Sequence, residues 1–214
     1  PGRPCALRLC EAGPSMSTAL AATQLAQRLR QGEAAIFPTD TLPALASLPE
    51  HAGQLWALKQ RPQHKPVILM AASGPELWRW LEVDPLPAWL KLADRYWPGA
   101  LTLVLPAASR LVEPLHPGGN SIGVRVPACE QALALLQLSG PLATTSANRS
   151  GEAPCLSPEQ AAQRFPQVPQ LGPVPWPQPS GEASTVLRWL ETGSWEVLRQ
   201  GAVVPIELDS GSTT

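Results

Sequence analysis

Prolines recur every two to four residues from Pro166 to Pro179 and restrict how this part of the chain can fold. Proline has no backbone N–H, so it cannot donate to the hydrogen-bond ladder of an interior strand. We therefore expect residues 166–180 to form a loop or a polyproline-like cover rather than part of a sheet. The chain as a whole holds 26 prolines in 214 residues, more than twice the usual share of about 5%.

The remaining composition favours one folded domain, which we place at residues 17–208 between tails at 1–16 and 209–214. Apolar residues make up 44%, enough for one sizeable core at this length. No apolar run approaches the roughly 20 residues of a membrane helix, so we expect no membrane partner. The net charge is −1, so nucleic acid would have to bind a local patch.

The cysteines and histidines do not form a metal-binding pattern. Cys5, Cys10, Cys129 and Cys155 are scattered without a CxxC pair, and the three histidines lie far apart. A zinc site needs closer spacing, so we expect no metal ligands among these residues. The first residues lack the apolar stretch of a signal peptide. We therefore expect reduced thiols and a cytoplasmic location.

Helical and strand-like segments alternate irregularly along the chain. The patterns predict helices over 17–30, 49–59, 76–81, 87–97, 130–138 and 158–164. They predict strands over 34–37, 67–71, 101–105, 121–126 and 142–145, and a hairpin formed by 185–190 and 195–198. Some connections are helical and others have the length of a hairpin turn. Such a mixture predicts an α/β fold with a sheet of mixed strand direction.

The densest group of cations lies in the segment from Lys59 to Pro66, which holds Lys59, Arg61 and Lys65. Two of the three lysines of the chain lie here, and two prolines stiffen the segment. Arginine binds phosphate or carboxylate as a two-pronged donor, and lysine acts as a point charge. The segment is therefore a candidate polyphosphate or carboxylate site, although a solvated basic turn has the same sequence pattern.

Two further segments place polar residues after buried strands. Thr145, Ser146 and Asn148 lie in a run of hydroxyl, amide and guanidinium groups that could hold phosphate or a nucleobase. Thr39 and Thr41 follow the strand at 34–37 and could bind the polar groups of an amino acid. Both segments could equally be turns in which the side chains cap the backbone.

Three other polar residues are candidates for the same site. Arg125 is a charge within an apolar strand, and such a charge requires a partner or an edge position. Ser184 and Arg199 are weaker candidates, since ordinary surface residues look the same.

Six of these segments, in this order, resemble the YrdC-like family, the threonylcarbamoyl-AMP synthases of tRNA modification. The matching stretches are Phe37-Pro38-Thr39-Asp40-Thr41, Lys59-x-Arg61-Pro62 with Lys65-Pro66, Trp97-Pro98-Gly99-Ala100-Leu101-Thr102-Leu103, Val124-Arg125-Val126-Pro127, Ser146-Ala147-Asn148-Arg149-Ser150-Gly151 and Ser184-Thr185-Val186. They cover about residues 17–203. The resemblance implies a single twisted, mostly open α/β sheet with helices packed on it and a basic concave surface.

The resemblance also implies an enzyme that makes threonylcarbamoyl-AMP from L-threonine, bicarbonate and ATP with Mg²⁺, releasing pyrophosphate. Its product would pass to a tRNA threonylcarbamoyltransferase. By resemblance, the catalytic residues would be Lys59, Arg61, Ser146 and Asn148. The threonine-binding residues would be Thr39, Thr41, Arg125 and Ser184. The nucleotide-binding residues would be Lys59, Arg61, Lys65, Thr145, Ser146, Asn148 and Arg199.

One segment departs from the family pattern and keeps other functions open. The family usually has Val-Tyr-Gly-Leu-Gly after the Thr-Asp-Thr motif, whereas this chain has Leu42-Pro43-Ala44-Leu45-Ala46. An alanine in place of glycine adds a Cβ that could enter the threonine pocket. The alternatives are a non-catalytic protein that binds tRNA or double-stranded RNA, and a relative acting on another carbamoyl adenylate.

Overall fold

The computed structural model describes residues 19–206, which form ten strands, seven α-helices and a short 3₁₀ helix at Pro49–His51. The strands are β1 (Ala19–Leu20), β2 (Ala35–Phe37), β3 (Ala44–Ser47), β4 (Ile68–Met70), β5 (Leu101–Pro106), β6 (Ser121–Arg125), β7 (Leu142–Ser146), β8 (Gln170–Leu171), β9 (Thr185–Trp189) and β10 (Trp195–Arg199). The helices are α1 (Ala22–Arg30), α2 (Gly53–Lys59), α3 (Gly74–Leu81), α4 (Pro87–Tyr96), α5 (Ser109–Leu115), α6 (Glu130–Ser139) and α7 (Pro158–Arg164).

The ten strands form one sheet in the order β1-β8-β2-β3-β7-β4-β6-β5-β9-β10. Four pairs are parallel (β1 with β8, β8 with β2, β4 with β6, β5 with β9) and the other five are antiparallel. The mixed direction expected from the irregular alternation of elements is therefore confirmed. Ala44 is opposite Ser146, and Met70 is opposite Arg125. The pairing thus places Ser146 and Arg125, which end β7 and β6, beside strands from distant parts of the sequence.

Most helices cover one face of the sheet. Leu55 of α2, Leu77 of α3, Leu92 of α4 and Leu111 of α5 belong to the same buried cluster as apolar residues from the central strands. Alternate strand residues point to opposite faces. This face therefore takes every second residue of the central strands, such as Leu101, Leu103 and Leu105 of β5, which are all fully buried.

The opposite face is covered over only part of its width. Helices α1 and α6 pack there, with Leu25 and Leu135 buried against Phe37 and Met70. The described helices provide no such cover over the neighbouring region of β4, β5, β6 and β9 on the same face, where a cavity opens. The cavity therefore opens on the uncovered part of the sheet.

The proline-rich segment corrects one prediction from the sequence. Residues 166–180 were expected to lie outside the sheet, but Gln170 and Leu171 form β8 between β1 and β2. These two residues keep their backbone N–H groups because the prolines flank them, at Pro169 and Pro173. Pro169 contributes only its carbonyl oxygen, which accepts a hydrogen bond from Ile36 N at 3.0 Å. An interior strand is possible here because it is only two residues long.

Three other elements were not predicted. Strand β1 lies within the helix predicted over 17–30, strand β3 is rich in alanine, and helix α5 contains Pro114. The helix predicted to begin at Ser17 begins at Ala22, and Ser17 itself lies outside the described residues. The predicted tails at 1–16 and 209–214 also lie outside that range, so the domain limits stay a prediction.

Candidate active site

A cavity of about 430 Å³ lies on the uncovered part of the sheet. Its floor comes from β4, β5, β6 and β7, and its side from the β9–β10 hairpin. Seven of the predicted site residues line it: Thr41, Arg61, Arg125, Thr145, Ser146, Ser184 and Arg199. The topology therefore gathers residues that are up to 158 positions apart in the sequence, from Thr41 to Arg199, around one space.

Arg125, at the end of β6, is 2% exposed and has a partner on each part of its guanidinium group. Nε donates to Gly99 O at 2.8 Å, Nη1 to Thr41 Oγ1 at 2.7 Å, and Nη2 to Asp40 Oδ1 at 2.7 Å. Burial lowers the pKa of Arg125, and the Asp40 carboxylate opposes this shift. The buried charge expected to need a partner therefore has one, and its orientation is fixed by three hydrogen bonds.

The loop between β2 and β3 is held by its own hydroxyl groups. Thr39 Oγ1 donates to Leu42 O at 2.7 Å and accepts from the backbone N–H of Thr41 and of Leu42, each at 3.2 Å. The Thr39 and Thr41 hydroxyls are 3.1 Å apart. Thr39 therefore lies behind Thr41 as a turn residue, and only Thr41 lines the cavity.

Lys59, the last residue of α2, is 2% exposed and supports the loop after β7. Its Nζ donates to Ser146 O at 2.5 Å, Asn148 O at 2.6 Å and Asn148 Oδ1 at 3.0 Å. An ammonium group has three N–H donors, so these three oxygens use all of them. Burial lowers the pKa of Lys59 to about 7, with Arg61 contributing. In this geometry Lys59 fixes the position of the loop through its contacts with Ser146 and Asn148.

Asn148 links the same loop to its surroundings. Its Oδ1 accepts from Ser146 Oγ at 2.6 Å, and its Nδ2 donates to Arg149 O and Glu152 O. Asn148 does not line the cavity, whereas Ser146 does. The loop therefore offers the cavity the Ser146 side chain, and Asn148 and Lys59 determine where that side chain lies.

Arg61 contacts the end of β7, just before the same loop. Its Nη1 donates to Thr145 Oγ1 at 3.1 Å and its Nη2 to Pro66 O at 2.9 Å, while its Nε has no partner among the described residues. Burial lowers the pKa of Arg61. Lys65, from the same cation cluster, is exposed and does not line the cavity. The three cations of the cluster therefore have different positions: Lys59 is buried under the loop, Arg61 lines the cavity, and Lys65 lies on the surface.

Ser184 and Arg199 form the side of the cavity nearest the sheet edge. The Arg199 guanidinium donates to Ser184 O from Nε at 3.1 Å and from Nη2 at 2.8 Å. The Ser184 and Thr102 hydroxyls are 2.8 Å apart. The β9–β10 register shifts between Val197 and Arg199, which is the irregularity that directs Arg199 back toward Ser184.

Several cavity residues were not identified from the sequence. Thr102 and Ser121 lie within predicted strands, where side-chain direction cannot be read from the sequence. His116 also lines the cavity, and its Nδ1 donates to Ser121 O at 2.8 Å. Asp40 was noted only as one member of the Thr-Asp-Thr motif, although it is the partner of Arg125. A charge within an apolar strand needs an opposite charge nearby, so the position of Arg125 in the sequence was the signal that could have pointed to Asp40.

The lining of the cavity suits an anion. Arg61, Arg125, Arg188 and Arg199 line it together with hydroxyl groups, and its lining residues include no aspartate or glutamate. Within residues 19–206, no group of three or more His, Cys, Asp or Glu side chains could hold a metal ion. The residues present therefore do not fit a resident metal ion, but they fit phosphate and carboxylate groups.

A second cavity, of about 520 Å³, lies between α3 and α5. It is lined by side chains of both charges, including Glu76 and Arg79, and by none of the predicted site residues. Its larger size therefore does not make it the better candidate. In the described range, no helix combines the length and the apolar character needed to cross a membrane.

The family model named Sua5_yciO_yrdC, which is described as Telomere recombination, matches residues 27–201. The chain belongs to the Sua5/YciO/YrdC family. This confirms the resemblance inferred from the six ordered motifs. The fold agrees as well: E. coli YciO, a member of known structure, superposes with a TM-score of 0.72 at 25% identity, over 84% of this chain and 88% of that chain.

Several relatives in the Sua5/YciO/YrdC family are named threonylcarbamoyl-AMP synthase. The one from Halorhodospira halophila is 38% identical over 65% of this chain and 75% of its own length. The one from Pyrococcus abyssi is 38% identical over 64% of this chain and 41% of its own length. The mouse protein is 32% identical over 82% of this chain and 65% of its own length.

A solved structure of P. abyssi Sua5 in complex with L-threonine superposes with a TM-score of 0.80 at 30% identity. The match covers 88% of this chain and 56% of that chain, so the present sequence spans a little over half of this relative. HypF from T. kodakarensis superposes with a TM-score of 0.68, over 84% of this chain and 24% of that chain. Its 22% identity shows a shared fold only.

Proposed function

We propose that this chain is a threonylcarbamoyl-AMP synthase, which makes threonylcarbamoyl-AMP from L-threonine, bicarbonate and ATP. The observation that carries the proposal is the convergence of Arg61, Arg125 and Arg199 with seven hydroxyl-bearing residues on one cavity, whose lining within residues 19–206 includes no carboxylate. Relatives with this name and a family member solved with L-threonine support it.

The reaction requires little proton transfer by the protein. The neutral amine of threonine attacks bicarbonate, which gives the carbamate and water. A carbamate oxygen then attacks the α-phosphorus of ATP, the bond from that phosphorus to the bridging oxygen breaks, and pyrophosphate leaves. Every species is an anion, so catalysis consists mainly of holding anions in line and stabilising the charge that develops.

The geometry suggests how the residues divide this work. Arg125 is fixed by three hydrogen bonds and is suited to a carboxylate, with the Thr41 hydroxyl beside it. Arg61 has an Nε with no hydrogen-bond partner within residues 19–206, and it contacts Thr145, where it is suited to the phosphates. Arg199 and Ser184 close the side of the cavity. Lys59 and Asn148 position the Ser146 loop, and Lys65 could reach phosphates only from the surface.

The other components of the reaction follow from the same chemistry. Because no carboxylate lines the cavity, we propose that Mg²⁺ arrives bound to the phosphates of ATP. The product is a mixed anhydride, which hydrolyses in water. We therefore propose that a transferase acting on tRNA consumes it. A cytoplasmic location would suit both proteins.

Direct binding of tRNA or double-stranded RNA remains a separate prediction with a distinct test. Binding carried by phosphate contacts falls steeply as salt increases. Filter binding of unmodified tRNA at two salt concentrations would show this dependence, and the absence of binding at low salt would exclude the RNA-binding alternative. The other alternative, action on a different carbamoyl adenylate, predicts that another amino acid or carbamoyl phosphate, and not threonine, stabilises the protein against heating in the presence of ATP.

The test of the main proposal is the release of pyrophosphate from ATP in the presence of bicarbonate and Mg²⁺, with and without L-threonine. We expect release that depends on threonine and that falls at least a hundredfold in Arg125→Met and Arg61→Met, in line with the loss of a charged group at a preorganised site. Arg79→Met is the matched control, because Arg79 lines only the second cavity. Release that does not depend on threonine, or equal loss in all three variants, would contradict the proposal.

A further inference from the structure

The end of the proline-rich segment contacts the loop that carries Thr41. We call residues 172–183 the strap. Ser180 N donates to Asp40 O at 3.0 Å, and Gly181 N donates to Thr41 O at 3.1 Å. Two successive N–H groups of the strap therefore hold two successive carbonyls of the loop, and the side chains of those same two loop residues bind Arg125.

The strap is fixed to the rest of the domain at its other end. Trp176 is buried and its Nε1 donates to Leu171 O at 2.6 Å. Gln131 of α6 donates to Pro173 O at 3.2 Å. Prolines at every second position from Pro173 to Pro179 reduce the number of conformations that the strap could otherwise adopt. The strap is thus a stiff connection between the buried β8 and the loop at Thr41.

The strap then continues directly into the cavity. Ala183 and Ser184 both line it, and Ser184 is held by Arg199 and Thr102. The chain from Ser180 to Ser184 therefore joins the Asp40–Thr41 loop on one side to the β9–β10 hairpin on the other. A displacement at Gly181 would move both Thr41, which accepts a hydrogen bond from Arg125, and Ser184, which accepts from Arg199.

We propose that Gly181 is a positioning residue for the amino-acid part of the substrate site. It has a φ of +79°, which glycine adopts readily and other residues except asparagine and aspartate rarely do. A Cβ added there would have no heavy atom within 4 Å, so the requirement is for backbone conformation and not for space. The glycine allows its own N–H to reach Thr41 O. This role rests on the proposed synthase function.

Gly193, in the turn of the β9–β10 hairpin, provides a matched control. Its φ is +82°, an added Cβ there would also be free of contacts, and its N–H donates to Leu190 O at 3.0 Å. Alanine at either position therefore imposes the same backbone strain. Each substitution should also weaken one backbone hydrogen bond of similar length, the one donated by the N–H of the substituted residue. Of these two glycines, only Gly181 donates to a residue that lines the cavity, because Thr41 does so and Leu190 does not.

The experiment compares Gly181→Ala, Gly181→Asn and Gly193→Ala by steady-state kinetics of pyrophosphate release. We expect Gly181→Ala to raise the KM for threonine about fivefold, the worth of one hydrogen bond, with the KM for ATP changed less than twofold. Gly181→Asn should recover most of the loss, because asparagine tolerates positive φ. Gly193→Ala should lower the melting temperature as much as Gly181→Ala without altering either KM. Equal effects of both alanine variants on the KM for threonine would overturn the proposal, as would an unchanged KM in Gly181→Ala.

Amide hydrogen exchange tests the same connection without substrate, so a failure of the proposed function and a failure of this inference can be told apart. In Gly181→Ala we expect faster exchange at the amides of Thr41, Leu42 and Ala128, which donate to Thr39 and Asp40 side chains. Gly193→Ala should leave these three amides unchanged. Unchanged exchange in Gly181→Ala would overturn the inference even if the enzyme is active.

Discussion

Arg125, which lines the cavity, forms an ion pair with Asp40 behind it, with 2.7 Å between Nη2 and Oδ1 and side chains that are 3% and 19% exposed. The same carboxylate oxygen accepts from Ala128 N at 2.9 Å. Asp40 therefore compensates a buried charge and joins the end of β6 to the loop after β2. The pair is both a support of the fold and the reason that Arg125 has a fixed direction.

Replacing Asp40 by alanine should destabilise the protein. The change leaves the Arg125 charge buried without its carboxylate, so we expect the free energy of unfolding to fall by about 3 kcal/mol. Urea unfolding followed by circular dichroism measures the loss. Glu33→Ala is the control, since it removes an exposed pair with Arg28 that should contribute about 0.5 kcal/mol. Similar losses in both variants would show that burial of the Asp40–Arg125 pair has no energetic consequence.

The pKa of Lys59 predicts how stability changes with pH. Its pKa is lowered from 10.5 to about 7 in the folded protein, first by burial and then by Arg61. Between these two values the unfolded chain binds a proton at Lys59 that the folded protein has released, so stability should rise with pH across this window. Below pH 7 both states hold the proton and Lys59 adds no slope.

Lys59→Met provides the comparison for this prediction. Urea unfolding of the wild type and the variant from pH 6 to pH 10 should give a difference in unfolding free energy that is constant below about pH 7. Above that value the difference should move in favour of the wild type. A difference that stays flat up to pH 10 would mean that Lys59 keeps its ordinary pKa.

Two alanines of β3 should respond differently to the same substitution. Both belong to the buried cluster under α1 and α6, but Ala44, 2% exposed, also lines the cavity, whereas Ala46 is fully buried and does not. Ala44→Val adds methyl groups at the cavity wall, so we expect the KM for threonine to rise with little change in melting temperature. Ala46→Val adds the same groups to a filled core and should cost about 1–3 kcal/mol of stability. Kinetics and thermal unfolding of both variants measure the contrast, and a large stability loss in Ala44→Val would place its Cβ in the core instead.

The strands that could be predicted are those with apolar residues bounded by clear breaks. The prediction of 101–105 matches β5, and that of 142–145 matches β7, each within one residue. Strand β3 could not be recognised in this way, because alanine has little preference for strands and its neighbours β2 and β7 determine its conformation. The two-residue β8 depends on pairing with β1 and β2 in the same way.

The candidate site was predictable in its residue types and less so in their arrangement. The ordered motifs brought Arg61, Arg125 and Ser146 into one group, and all three line the cavity. The sequence could not show that Lys59 points into the Ser146–Asn148 loop, because that depends on how α2 ends beside β7. It also could not show the strap, whose contacts with Asp40 and Thr41 are made between backbone atoms.

The position of β8 between β1 and β2 has a consequence for the order in which the molecule assembles during synthesis. Strands β1 and β2 cannot be joined in the sheet until residues 170–171 have been synthesised. In the same way, β5 cannot pair with β9 until residues 185–189 have been synthesised. Pairings between such distant segments form slowly. Ser184 and Arg199, which complete the cavity, leave the ribosome after nearly all of the sheet. A nascent chain that has not reached Arg199 therefore lacks one side of the cavity, so the proposed substrate site is completed only after most of the sheet has been synthesised.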